Sequence, residues 1–370
     1  MSPKNSNKDK NISDKTLIID FGTYNTKVGF TLEGAPRLVF LSLVGYEKGS
    51  YDPLVAEEVL YSSDPNIKIK FPFKNSPWDW NAVEELLNYI YTELRIDSSL
   101  YPVSIVPPYN FTNEDKKRLI TTLFEAFQIP KLIVFNENDL ILQSSYKNTG
   151  IVVDIGYNHS SIVPYQSGYE ITPAKMPFHI TAKTFFETLF KNLNQELKFE
   201  DEKITSIRSV FESVEEIDNI FYVSANYEKE KEIEKITTKP LLLNGKKYEL
   251  GPEQFQIPEL FFKPSLFRIN ALSIQKIIKF VLDNCPKEII KDLCENIVLS
   301  GAITKIPGMN ERITFSLARQ FPINYLIYVN SHKKREWSAF MGVEQILSND
   351  YINEFWHLSL SSALKNYCSD

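Results

Sequence analysis

Two short stretches of this 370-residue chain share one design. Thr16-Leu17-Ile18-Ile19 runs into Asp20-Phe21-Gly22-Thr23, and Gly150-Ile151-Val152-Val153 runs into Asp154-Ile155-Gly156. Each apolar run ends in Asp-x-Gly, and a polar turn then leads to a second apolar strand, Thr26-Lys27-Val28-Gly29-Phe30 or Ile162-Val163. The chemistry of such a hairpin is that of a phosphate clamp. Backbone N–H groups of a tight turn bond phosphate oxygens, and glycine lets the chain approach closely. Carboxylates repel phosphate, so Asp20 and Asp154 would act through the waters of a divalent metal, Mg2+ or Ca2+, that bridges the phosphates. Lys27 adds a compact positive charge. One Asp-x-Gly is an ordinary strand end. Two of them, about a domain's length apart on matched strands, suggest an internal duplication.

The elements that would position these turns alternate along the chain. Trp80, Val83, Leu87, Ile90 and Leu94 recur at helical steps. Thr112 followed by Asp115 opens a capping box for a helix that carries Leu119, Leu123 and Phe127 and stops before Pro130. Leu132 to Phe135 reads as a strand. In the second half, Ile204, Ile207, Phe211, Val214, Ile217 and Phe221 mark one helix, and Ile274, Ile277, Ile278 and Val281 another. Asn296 to Ser300 reads as a buried strand entering a turn of small residues. The alternation implies an α/β architecture with sheets packed between helices. Glu228 to Lys235 reads as a solvated, mixed-charge segment.

Composition narrows the function. Hydrophobic residues make up 43% of the chain and charged residues 24%, the ordinary globular range. A net charge of −6 does not suit neutralising a nucleic-acid backbone, so no direct nucleic-acid partner is expected. No apolar run approaches the ~18 residues of a membrane span, and the polar start is unlike a signal peptide. The three cysteines form no C-x-x-C pair and the four histidines show no zinc spacing, which fits a soluble protein of a reducing compartment.

Further motifs carry a resemblance. Asn296-Ile297-Val298-Leu299-Ser300-Gly301-Ala302, Ile306-Pro307-Gly308-Met309, Leu32-Glu33-Gly34-Ala35-Pro36-Arg37 and Ile257-Pro258-Glu259-Leu260-Phe261-Phe262-Lys263-Pro264-Ser265 resemble actin and the actin-related proteins. The likeness runs from about Thr16 to about Trp356. It implies the actin–Hsp70–hexokinase (ribonuclease H-like) α/β fold, two similar domains around a cleft that holds ATP or ADP with its cation. Residues 1–14 would be a disordered tail. Residues 15–148 with 341–370 would form the first domain, its shortened outer subdomain at about 44–71, and 149–340 the second.

Carried over position by position, the resemblance assigns nucleotide binding to Asp20, Gly22, Thr23, Lys27, Asp154, Gly156 and Gly301. The pair that frames ribose and base is matched by Ile217 and Asp218. Tyr24, Tyr157, Asn158, Ala182, Ala302 and Glu336 depart from the pattern, Glu336 standing where a lysine is expected. These departures imply weak or absent nucleotide binding. Glu137 and Ser161 occupy the positions that orient the attacking water. Glu137 would either hold that water or simply begin a helix, and negligible ATPase activity is expected.

The projecting loop between Val44 and Phe71 is short, the Gly-rich tract is replaced by His179 to Lys183, and the tail is recast from Trp356 to Lys365. The resemblance therefore implies a non-polymerising structural subunit of a larger protein complex, cytoplasmic and cytoskeletal. The pattern is closer to the pointed-end subunit of dynactin than to the actin-related subunits of nuclear chromatin remodellers. A weak ATP-dependent switch and a sugar or acetate kinase are the other readings. Phe340, Met341, Tyr351, Phe355 and Trp356 supply apolar material for the face opposite the shortened loop.

Overall fold

The computed structural model describes residues 15–109, 111–193, 204–347 and 356–368. The expected tail at 1–14 and the apolar pair Tyr351 and Phe355 lie outside them. The chain divides into two compact units, 1–140 with 339–370 and 141–338. Each is built around its own sheet.

In the first unit, β1 (Leu17–Phe21), β2 (Asn25–Phe30) and β3 (Leu38–Leu41) form a meander. A small separate sheet follows, β4 (Val44–Tyr46) flanked by β5 (Leu54–Val55) and β6 (Lys68–Lys70). Strands β7 (Val103–Val106) and β8 (Leu132–Val134) then add parallel to β1, giving the order β3-β2-β1-β7-β8. Every residue of β1 and β7 is buried, as continuous apolar runs in the middle of a sheet require. The Trp80–Leu94 helix packs Ala82, Val83, Leu86, Leu87 and Ile90 into this core. It starts at Asp79, whose carboxylate accepts from the Ala82 N–H, and ends at Arg95 in the left-handed region.

The Asn113–Thr121 helix begins with the expected capping box between Thr112 and Asp115. The C-terminal segment completes the unit. Leu132 of β8 and His357 exchange backbone hydrogen bonds at 3.0 and 2.9 Å, so the outer edge of β8 is partly covered. The Leu360–Cys368 helix packs beside the Asn113–Thr121 helix, with Ala363 fully buried. Phe340 lies in the core with no exposed surface and leaves no room for a side chain at Gly29, so it does not supply an apolar outer face.

The second unit has the order β11-β10-β9-β15-β16, with β12 (Met176–Pro177) also on β10. Strand β9 (Gly150–Ile155) pairs antiparallel with β10 (Ser160–Gln166) and parallel with β15 (Ile297–Ser300). The edges are β11 (Tyr169–Glu170) and β16 (Val329–Asn330), and a separate hairpin is formed by β13 (Lys239–Leu243) and β14 (Lys246–Leu250). The helix expected from Ile204 to Phe221 is two helices, Ile204–Glu215 and Ile217–Ile220. Glu216 leaves helical geometry at ψ 4°, and Phe221 is extended. Ser209 and Ser213 turn their hydroxyls back onto the carbonyls of Thr205 and Ser209, which weakens helical continuation. Phe185 meets Phe221 edge-to-face and stacks on Phe261.

Candidate functional site

The candidate residues fall into two groups, one in each unit. In the first unit, the register of β1 and β2 sets Asp20 opposite Lys27. The Lys27 ammonium lies 3.0 Å from a carboxylate oxygen of Asp20, which is 1% exposed. A carboxylate removed from water this fully needs a cation or donors, and Lys27 supplies one. Gly22 donates its N–H to Asn25 O at 3.2 Å, and a Cβ there would sit 2.5 Å from that oxygen. The turn itself therefore demands glycine. Thr23 and Tyr24 form its tip, both half-buried. Sequence reading missed Ser42, just past β3, which holds the turn from the side. Its hydroxyl donates to Gly22 O at 2.7 Å, and its N–H to Tyr24 O at 2.8 Å. No local motif marks Ser42; only the pairing of β2 with β3 brings it there.

Glu137 is the first residue of the Glu137–Ser144 helix. An acidic side chain in a first turn is favoured by the helix dipole, which accounts for a carboxylate at this position without any catalytic duty.

In the second unit, Asp154 ends β9 next to Ser161 on one side and Ser300 on the other. Gly156 donates to His159 O at 2.9 Å, and a Cβ would meet that oxygen at 2.7 Å. The start of the Ala182–Asn192 helix is docked on this turn. Its first N–H groups, from Ala182 and Lys183, donate to Gly156 O and Tyr157 O at 3.0 and 3.1 Å. A helix N-terminus is a ready anion site, but here two of its donors are already used by protein carbonyls. Burial, and secondarily His179, pushes the His159 imidazole down to about 4. Burial also raises the Tyr157 hydroxyl well above its ordinary range.

Gly301 follows β15 with φ +92°, and a Cβ on it would lie 2.1 Å from Ile155 O. The structure thus packs the Gly301 turn directly against the Asp154-Ile155-Gly156 turn. Asp218 belongs to the same corner through Lys305, which no sequence motif had marked. The Lys305 ammonium is 3.6 Å from Asp218 and 3.5 Å from Glu336. The available signal was Glu336 itself, since a carboxylate in place of an expected lysine calls for a cation nearby.

To hold the water shell of a phosphate-bound cation, a site would need a carboxylate at a strand end, and each Asp-x-Gly turn has one. Asp20, Lys27 and Asp154 would supply the charges, and such a cation would neutralise phosphate. The turn N–H groups of Gly22 and Gly156 are committed within their own hairpins.

A family model described as Actin matches residues 12–359. A protein of Dictyostelium discoideum named "Putative actin-29" is 29% identical over 359 residues, covering 91% of this chain and 91% of its own length.

Proposed function

The chain belongs to the actin family, and from that premise we propose that it is a non-polymerising structural subunit that caps the pointed end of an actin-like filament such as that of dynactin. Its fold is the mixed α/β fold that actin shares with Hsp70 and hexokinase, and proteins of this fold generally bind a nucleotide with Mg2+. No described helix is long and apolar enough to cross a membrane.

The small three-stranded outer sheet carries the capping reading. From Val44 to Lys70 the chain forms only β4, β5, the Ala56–Tyr61 3-10 turns and β6, and its connections are tied down. Asp64 accepts from the Lys48 and Asn66 N–H groups at 3.0 and 2.8 Å, and Ser62 donates to Glu47 at 2.5 Å. A segment this short, anchored at its base, has only the exposed tip around Tyr51 left to reach towards a following subunit. One assembly face is thereby blunted while the rest of the chain keeps the family's extent, which is what an end subunit requires. The protein would work in the cytoplasm, on the microtubule-transport side of the cytoskeleton.

Nucleotide binding is proposed to be weak and turnover negligible. Lys27 is already engaged by Asp20, and the donors of the Ala182–Asn192 helix are engaged by the turn before it. Sedimentation with preformed filaments tests the capping role. The protein alone should stay monomeric where actin polymerises, and should bind one per filament end. Binding along filament sides, or copolymerisation, overturns it. Affinity purification from the native cell tests the assembly: dynein–dynactin components support it, and remodelling ATPases would replace it with the nuclear reading.

A further inference from the structure

In the second unit the C-terminal ends of β9 and β15 lie side by side, Asp154 opposite Ser300. Ligands of open α/β sheets bind beyond such strand ends. Three segments gather around them: the Ile217–Ile220 helix, the Ala302–Lys305 turn and the Arg335–Trp337 turn. The first contributes Asp218, the second Lys305, and the third both Arg335 and Glu336. Lys305, with 27% of its side chain exposed, stands between Asp218 and Glu336 at 3.6 and 3.5 Å. The second oxygen of Glu336 is buried and accepts no hydrogen bond among the described residues, and the Nε of Arg335 is buried without an acceptor. Arg335 is otherwise committed to the protein, donating to Asn310 at 3.0 Å while its carbonyl receives the Ser338 hydroxyl at 2.9 Å.

We infer that Lys305 is an internal counter-ion that sets the affinity of this corner for a nucleoside, by taking the position that the ligand's own donors would otherwise fill. Two carboxylates beside the strand ends attract groups that donate hydrogen bonds, such as a base amino group or ribose hydroxyls. An ammonium between them neutralises part of both charges and leaves a nucleoside to displace an ion pair. At 3.6 and 3.5 Å these half-buried contacts are long for ion pairs and contribute modestly to folding, so the consequence of Lys305 lies in ligand selection more than in stability. The inference rests on the reading of the strand ends as a weak nucleotide site.

Titration calorimetry of Mg-ADP against the full chain and its variants tests it. Lys305→Met removes the ammonium but keeps the aliphatic volume. It should tighten Mg-ADP binding at least tenfold, roughly 1.4 kcal/mol, while Lys305→Arg leaves it unchanged. Adding Glu336→Gln to Lys305→Met should return most of the gain. Unchanged or weaker binding by Lys305→Met, with an unaltered melting curve, overturns the role of Lys305. Should that variant fail to fold, Lys305→Gln decides. It too should tighten Mg-ADP binding several-fold, and unchanged or weaker binding by a folded Lys305→Gln overturns the role of Lys305. Tight binding by the parent protein would instead overturn the weak-nucleotide reading, whatever the variants do.

Discussion

Asp20 and Lys27 show how a site residue can also be a folding liability. With Asp20 1% exposed and its ammonium partner 3.0 Å away, Lys27→Met should destabilise the first unit by about 3–5 kcal/mol by stranding a buried charge. The double variant Asp20→Asn/Lys27→Met should recover much of that loss in urea unfolding; equal losses would mean that the pair is not coupled. His159 offers a test by pH. Its imidazole titrates near 6.5 when unfolded and at about 4 when folded, so between those values the unfolded chain binds a proton that the folded chain does not. Stability contributed by the neutral ring is therefore full above pH 6.5 and lost as the pH falls towards 4. After discounting for its partial exposure this amounts to roughly 2 kcal/mol. Urea midpoints at pH 7 and pH 5 should differ less in His159→Gln than in the parent chain. Both aspartate turns were legible in the sequence because an apolar run ending in Asp-x-Gly is a local pattern. Ser42 and Lys305 were not, because what makes each matter is a neighbour distant in the chain.

Asp115 shows the same division at the level of elements. Its role in the capping box could be read from Thr112 and the three-residue spacing, and the helix starts there. What the spacing did not disclose is that the same carboxylate, fully buried, also accepts from the Trp78 N–H at 3.0 Å. It thereby joins the approach to the Trp80–Leu94 helix to the Asn113–Thr121 helix. Asp115→Ala removes a cap and leaves a buried N–H unsatisfied, a loss of about 2–4 kcal/mol. Asp115→Asn should cost less, because an amide oxygen still accepts. Thermal melts of the two variants give the comparison, and equal losses would mean that the carboxylate's charge, rather than its geometry, is what counts. The helical and strand periods along the chain were legible wherever one apolar face was continuous, as in Trp80–Leu94 and Leu17–Phe21. The break at Glu216 was hidden because the apolar spacing runs straight through it while serine hydroxyls and a backbone turn end the helix.

At the scale of the whole molecule, the second unit is one uninterrupted stretch, 141–338, whereas the first is assembled from 1–140 and 339–370. The returning segment is structural: His357 pairs with β8, Tyr367 Oη accepts from the Val134 N–H at 2.9 Å, and Ala363 is buried. Removing residues 356–370 should uncover the β8 edge, a template for edge-to-edge association, so the truncated chain should aggregate on concentration while retaining a protease-resistant core within 141–338. Limited proteolysis and light scattering would show this, and a truncated chain that stays monodisperse would argue against it. The same discontinuity sets an order of events on the ribosome. Translation delivers everything the later-encoded unit needs before the earlier-encoded one has its closing helix, so the sheet of β1, β2, β3, β7 and β8 is made early and closed late. While residues 339–370 are inside the exit tunnel, the nascent chain carries outside it the whole 141–338 stretch and a first unit that lacks its closing helix. It is during that interval that a chaperone able to shield an unpaired strand would matter most to this protein.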